Sequence, residues 1–305
     1  MDYFGIIKKA YYLSIKHKFL WIFGVLAGGY GGFQGYNSSF GSGMNFSGDS
    51  SSWSKNLDTL FTSENLTNFW INYAGVIIGV LVVFGLFAIL TFNINIISQG
   101  ALIGSTEKLA KGEKANFKVG FHIGWHNFWR VWGVGLTFLA MILASLIVLI
   151  VPVTVLITAG SYVLAAVLGL LLLIVCLAFW LVMGIISPYA TRFVVLEEKY
   201  SVFKSIREAL HLFQKNWGQV LIMYLLLIAS GIGFGILLAL AIMIVGGLLL
   251  AIGLGFYLAN PVAAIIYGSV AGLAMFLAVI IVTGAYNSYY SNVITLTYLK
   301  LRKSS

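Results

Sequence analysis

Between Lys215 and Lys300 the chain carries no charged side chain. A soluble fold must offer charged or polar groups to water far more often than that, so the tract excludes one. Two further tracts behave alike, from Glu64 to Glu107 and from Arg130 to Arg192. A helix that crosses the hydrocarbon of a bilayer needs about 20 predominantly apolar residues. With 60% hydrophobic and only 9% charged residues in 305, length here counts membrane spans and not domains. The expected fold is all-α, a polytopic membrane helix bundle forming a single membrane domain over residues 1–305.

The charges divide the chain into two faces. Every Lys and Arg except Lys55 falls in a segment assigned to one face, together with Asp2, Glu107, Glu113, Glu197, Glu198 and Glu208. Asp49, Asp58 and Glu64 lie with Lys55 in the opposite loop. By the positive-inside rule the basic face, with both termini, is cytoplasmic. The net charge of +9 therefore reflects topology, and no nucleic-acid partner is inferred from it. Six spans satisfy this pattern, at 19–33, 69–97, 131–156, 162–186, 217–245 and 262–290, arranged as three hairpins. Residues 1–18 read as an interfacial helix, and 34–67, rich in Gly, Ser and Asn, as a flexible outer loop that buries too little to offset its ordering entropy. The apolar stretch 246–261 reads as a re-entrant or outer-surface segment, because a seventh span would carry the basic tail to the other side. The first span is short, and Lys16-His17-Lys18 before FLWIFGVL imitates a signal peptide. It is read as a retained span.

Each hairpin is preceded by an amphipathic segment and entered through a basic residue close to a Trp: Lys18 and Trp21, Arg130 and Trp132, Lys215 and Trp217. Either an internal duplication or the common grammar of membrane entry accounts for this. Phe203, Ile206, Leu210 and Phe213 share one helical face, with Ser201 as N-cap. Phe117, Phe121, Trp125 and Phe128 repeat the arrangement, as do Phe4, Ile7 and Tyr11. Such helices either lie in the headgroup plane or pack on one another beneath the bundle. Glycine pairs at four-residue spacing, Gly75 with Gly79, Gly231 with Gly235 and Gly268 with Gly272, read as sites of close helix packing.

No catalytic residue and no cofactor is expected. Cys176 is the single cysteine, mid-span, where a thiol behaves as a small apolar group. His122 and His126 have a usable metal-ligand spacing, but Ile123 stands where a zincin needs its Glu and no third ligand is evident, so no metal site is expected. The remaining polar grouping lies where the second helix of each hairpin nears the basic face. It supplies a candidate inner-leaflet binding cluster of Asn93, Asn95, Gln99, Tyr189, Arg192, Asn287 and Asn292. Buried amides and hydroxyls need partners, so these groups either bond one another between helices or form a polar site for a lipid headgroup or small solute.

The stretch RFVVLEEKYSVFKSIREALHLFQKNWGQVL, entered from Ser187-Pro188-Tyr189, resembles the bacterial six-span membrane domains associated with glycerophosphodiester phosphodiesterases and their stand-alone relatives. The likeness rests on Arg192, the Val195 to Glu197 turn, the amphipathic helix from Ser201, and Lys215 before Trp217. It implies a bacterial cytoplasmic membrane and a non-catalytic module connected with lipids; no phosphodiesterase domain is present. The expected function is a lipid- or partner-binding membrane module, with membrane lipids and a membrane protein or a second copy as partners. The alternative is a transporter or permease-like subunit for a neutral or lipidic substrate.

Overall fold

The computed structural model describes the backbone of residues 1–31, 63–197 and 199–303. Among these, the chain is helical throughout and contains no strand: α1 (Tyr3–Lys16), α2 (Phe19–Gly31), α3 (Ser63–Ala110), α4 (Phe117–His126), α5 (Phe128–Thr158), α6 (Tyr162–Leu196), α7 (Val202–Lys215), α8 (Trp217–Ala259) and α9 (Pro261–Lys303). Five helices, α3, α5, α6, α8 and α9, are long and apolar enough to cross a membrane, and α2 is a shorter apolar helix. A polytopic helical membrane bundle is therefore the architecture, and the count of six spans holds only if the short α2 also crosses. Most of the expected outer loop, and Phe33 at the end of the first expected span, lie outside the described residues.

The helices outrun the spans read from hydropathy, three of them at the charged end. Helix α3 continues from Ile97 to Ala110, α6 from Ile186 to Leu196, and α9 from Tyr290 to Lys303. Threonine hydroxyls at these ends are satisfied within their own helix: Thr106 donates to Leu102 O at 2.6 Å, Thr191 to Ser187 O at 3.0 Å, and Thr297 to Val293 O at 2.8 Å. The apolar stretch 246–261 corrects the re-entrant expectation. Helix α8 runs unbroken through it to Ala259, and the chain turns only at Asn260, whose side chain accepts from Val262 N at 2.9 Å. With 43 residues, α8 is about 65 Å long at 1.5 Å per residue, roughly twice the hydrocarbon thickness.

The chain divides into two compact units, Met1–Gly28 with Ile96–Ser305, and Gly29–Asn95. In the second, the described part of α3 is an apolar helix whose Val76, Phe84, Phe87 and Leu90 are exposed. In the first, burial is concentrated at the charged end. Ala101, Leu102 and Ile103 of α3, Tyr189 to Val195 of α6 and Asn292 to Tyr298 of α9 are buried, whereas the apolar middles of α5, α6, α8 and α9 are largely exposed, as surfaces that face lipid must be.

The three short helices explain that core. Each has an N-cap acceptor: Asp2 for Gly5 N at 2.9 Å, Asn116 for Val119 N at 2.9 Å, and Ser201 for Lys204 N at 3.4 Å. Helices α4 and α7 end at one-residue hinges, Asn127 and Asn216, whose amides donate to Ile123 O at 3.1 Å and Leu212 O at 3.3 Å. Ala10, Gly120 and Ala209 stand at the same distance before His17, Asn127 and Asn216, and all three are buried. Helix α4 docks on the charged end of α3, α7 on α6, and α1 on α9. Helices α4 and α7 thus pack on the long helix that precedes each in the chain, and α1, packing on the last, closes the cycle. The shared register and docking rule are what an internal repeat would leave.

Two of the three glycine pairs read in the sequence meet no neighbour. A Cβ at Gly75, Gly79, Gly268 or Gly272 would meet nothing within 4 Å. At Gly124 it would strike the carbonyl of Ile97, and at Gly24 the carbonyl of Gly284. Small-residue spacing signals a smooth helix face, and only the topology decides whether a neighbour uses it.

Candidate functional site at the charged end

Helix α9 is the hub of the buried polar groups, and each partner helix takes a different side of it. Toward α1, Ser14 Oγ donates to Ala285 O at 3.2 Å and lies 3.4 Å from Ser288 Oγ. Toward α2, Asn287 Nδ2 donates to Gly24 O at 3.3 Å. Toward α3, Thr106 Oγ1 lies 2.6 Å from Asn292 Oδ1. The same hydroxyl has only one proton and already points at Leu102 O, while Asn292 Nδ2 has no partner. Turning the amide over lets Nδ2 donate to Thr106 and resolves both conflicts.

Toward α6 lies the charged member. Arg192 is 5% exposed. Its Nη1 donates to Pro188 O at 2.6 Å, Nε to Thr295 Oγ1 at 3.2 Å, and Nη2 to Ser291 O at 3.2 Å and Ser291 Oγ at 3.3 Å. Pro188 arranges this corner. It has no N–H, so the carbonyl of Gly184 loses its intrahelical donor. Tyr224 of α8 supplies a replacement, its hydroxyl reaching Gly184 O at 3.4 Å, and the same hydroxyl pairs with Tyr290. Tyr189 is buried beside Arg192 and Tyr290. Three tyrosines, two hydroxyls and a proline carbonyl thus surround one guanidinium.

Beyond this layer the helix ends carry ion pairs. Arg302 at the end of α9 pairs with Glu197 at the end of α6, and Lys111 pairs with Glu107 of α3 at 2.8 Å. Arg130, at the start of α5, fixes the turn between α6 and α7 through Glu197 O at 3.0 Å and Tyr200 O at 2.6 Å. At this entrance the basic residue is a clamp.

The seven residues of the expected cluster do not share one environment. Arg192 and Tyr189 stand together at the α6–α9 contact. Asn292 faces α3, and Asn287 faces α2, its amide against Gly28. Gln99 is half-buried on α3. Asn93 and Asn95 belong to the unit Gly29–Asn95; Asn93 donates to Ile89 O of its own helix at 2.8 Å, and Asn95 is buried. The sequence reading left Tyr224 and Thr295 out of the site. A Pro four residues before an Arg was the available signal for the first, since it announces a free carbonyl needing a donor.

His122 and His126 are exposed on α4, and among the described residues no three potential metal ligands gather. Comparison of the chain with protein families, with curated proteins and with solved structures finds no match.

Proposed function

We propose that this chain is a non-catalytic, lipid-binding module of a bacterial cytoplasmic membrane, with its charged end in the inner headgroup layer and both termini cytoplasmic. The observation that carries the reading is the way the three short helices are turned. Each packs on its neighbour through small or medium residues: Ala10 and Leu13, Gly120 and Gly124, Ala209 and Leu212. That leaves most of the large aromatic residues exposed, although Phe117 also stacks on the buried Phe23 of α2 with ring centres 4.8 Å apart. Phe4 is 79% exposed, Trp125 64% and Phe203 75%. Along α4, Phe117, Phe121 and Trp125 stack in a ladder with ring centres 6.3 and 6.2 Å apart.

Exposed cations accompany these rings: Lys8 and Lys16 on α1, Lys114 and Lys118 beside α4, Lys204 and Arg207 on α7. Aromatic rings favour the boundary between headgroups and acyl chains, and cations favour an anionic leaflet, at about 1 kcal/mol per residue near the surface. A soluble partner docking from below would have no use for the long apolar helices that continue from the same collar.

Depth measurement tests the proposal. In a Cys176→Ser background, spin labels at Phe117, Phe121 and Trp125 should be more accessible to oxygen than to a water-soluble nickel relaxant in bilayers, and labels at Lys118 and His122 the reverse. Equal nickel access along both sets would refute an in-plane lipid contact.

A further inference from the structure

Arg192 is the one described cation buried among the membrane-facing helices whose recorded partners are all neutral, and the charge it needs is not supplied by the described residues. None of the described ion pairs includes it. The ionisable groups close enough to affect it are the phenols Tyr189, Tyr224 and Tyr290. Its bonds to Pro188, Ser291 and Thr295 occupy Nε, one proton of Nη1 and Nη2. A guanidinium has five N–H groups, so one Nη1 proton stays free to donate to a phosphate oxygen, while the other four hold the guanidinium in place. Around it, the half-buried Ser187, Tyr290 and Ser291 offer a hydroxylated rim.

The surroundings specify what kind of phosphate. Toward the apolar side, the described bonds of α6 beyond Gly184 are to α5, through Cys176 and Trp180 to Ser145. Leu173, Leu177 and Leu181 of α6 are exposed, and so are Leu273, Phe276 and Leu277 of α9. The second and third hairpins stay joined through Tyr224 and Gly184 and share no described hydrogen bond beyond that level. Arg192 therefore lies about two turns inside the level at which they part, with apolar surface above and the basic collar below. We infer that this corner holds the phosphodiester of an anionic phospholipid whose acyl chains lie along the diverging faces of α6 and α9. The inference rests on the lipid-module reading but names a site separate from the collar. The competing account is that Arg192 only fastens α6 to α9. A buried cation without an anion is then a liability that a shape-matched apolar residue would remove.

The test is lipid selectivity of the full chain in nanodiscs and by native mass spectrometry. Wild type should retain phosphatidylglycerol over phosphatidylcholine, and millimolar inorganic phosphate should not displace it; displacement would identify a soluble phosphate site. Arg192→Met should lose at least one retained phosphatidylglycerol and weaken its binding tenfold or more. Arg192→Lys should weaken it less, keeping the charge without the fork. Wild type with no preference, or Arg192→Met with wild-type retention and an equal or higher melting temperature, would overturn the site. If Arg192→Met does not fold, the wild-type selectivity and the Lys variant decide. The collar labels should keep their depth in either case, so loss of this site and failure of the broader reading are separable.

Discussion

Gly124→Ala offers the sharpest test of how the charged end is assembled. In an ordinary helix the change favours folding by up to about 1 kcal/mol. Here the new methyl would strike the Ile97 carbonyl oxygen and stand 3.0 Å from its carbon and 3.1 Å from Ala101 N. All three are backbone atoms, so no rotamer change relieves the contact. Helix α4 must retreat from α3 by roughly 1 Å, which strips dispersion contacts along the whole interface. Overpacking of a tight core costs about 1–3 kcal/mol, and a backbone obstacle belongs in the upper part of that range. The net effect is a loss of about 1–2 kcal/mol, or a few degrees in melting temperature at about 2–4 °C per kcal/mol. Gly135→Ala on α5, where a Cβ meets nothing within 4 Å, is the control and should leave the melting temperature unchanged or slightly higher. Tryptophan-fluorescence melting of both variants in the same detergent measures the difference. If both glycines respond alike, the docking of α4 on α3 is not as described.

Arg130→Ala should cost about 2 kcal/mol in the same melting assay, because two carbonyls at the α6–α7 turn lose a charged donor; Arg130→Lys should rescue it only in part, having no fork to reach both. Asn287→Leu should lower the melting temperature without altering retained phosphatidylglycerol, since its amide joins α9 to α2 at Gly24 and not to the Arg192 corner; lost lipid at unchanged stability would reverse that assignment. Burial first, and the Lys16 ammonium second, hold the His17 imidazole below its ordinary 6.5. The fold therefore prefers neutral His17, a contribution that is full above pH 6.5 and lost as pH falls through the lower folded value. Melting temperatures recorded from pH 7.5 down to 5 should fall less steeply in His17→Gln than in wild type, and an identical slope would contradict the assignment. With Cys176→Ser as background, cysteines at Ser52 and Ser304 should react with a membrane-impermeant maleimide from opposite sides of intact cells; labelling of both from outside would exclude the six-span topology.

The sequence by itself determined that the chain is a helical membrane bundle. Desolvation of charge in hydrocarbon is so costly that gaps such as Lys215 to Lys300 leave no other solution. The amphipathic helices were equally legible, because Ser201 and the aromatic spacing from Phe203 or Phe117 are local signals. Which of their faces meets protein was not: the aromatic stripes suit headgroup contact and packing alike, whereas Ala10, Gly120 and Ala209 are the buried positions, because small residues let backbones approach closely. The extent of α8 past Gly246 was hidden because a helix and an apolar surface segment share one composition. The polar cluster was visible as a set of residue types at three helix ends. Only tertiary structure sorted it, giving Asn287 of α9 to α2, Asn292 of α9 to α3, and Arg192 of α6 to α9. The side of α9 that each residue takes follows from helix crossings, and those are fixed by backbone contacts at Gly24, Gly284 and Gly124 that no local pattern announces.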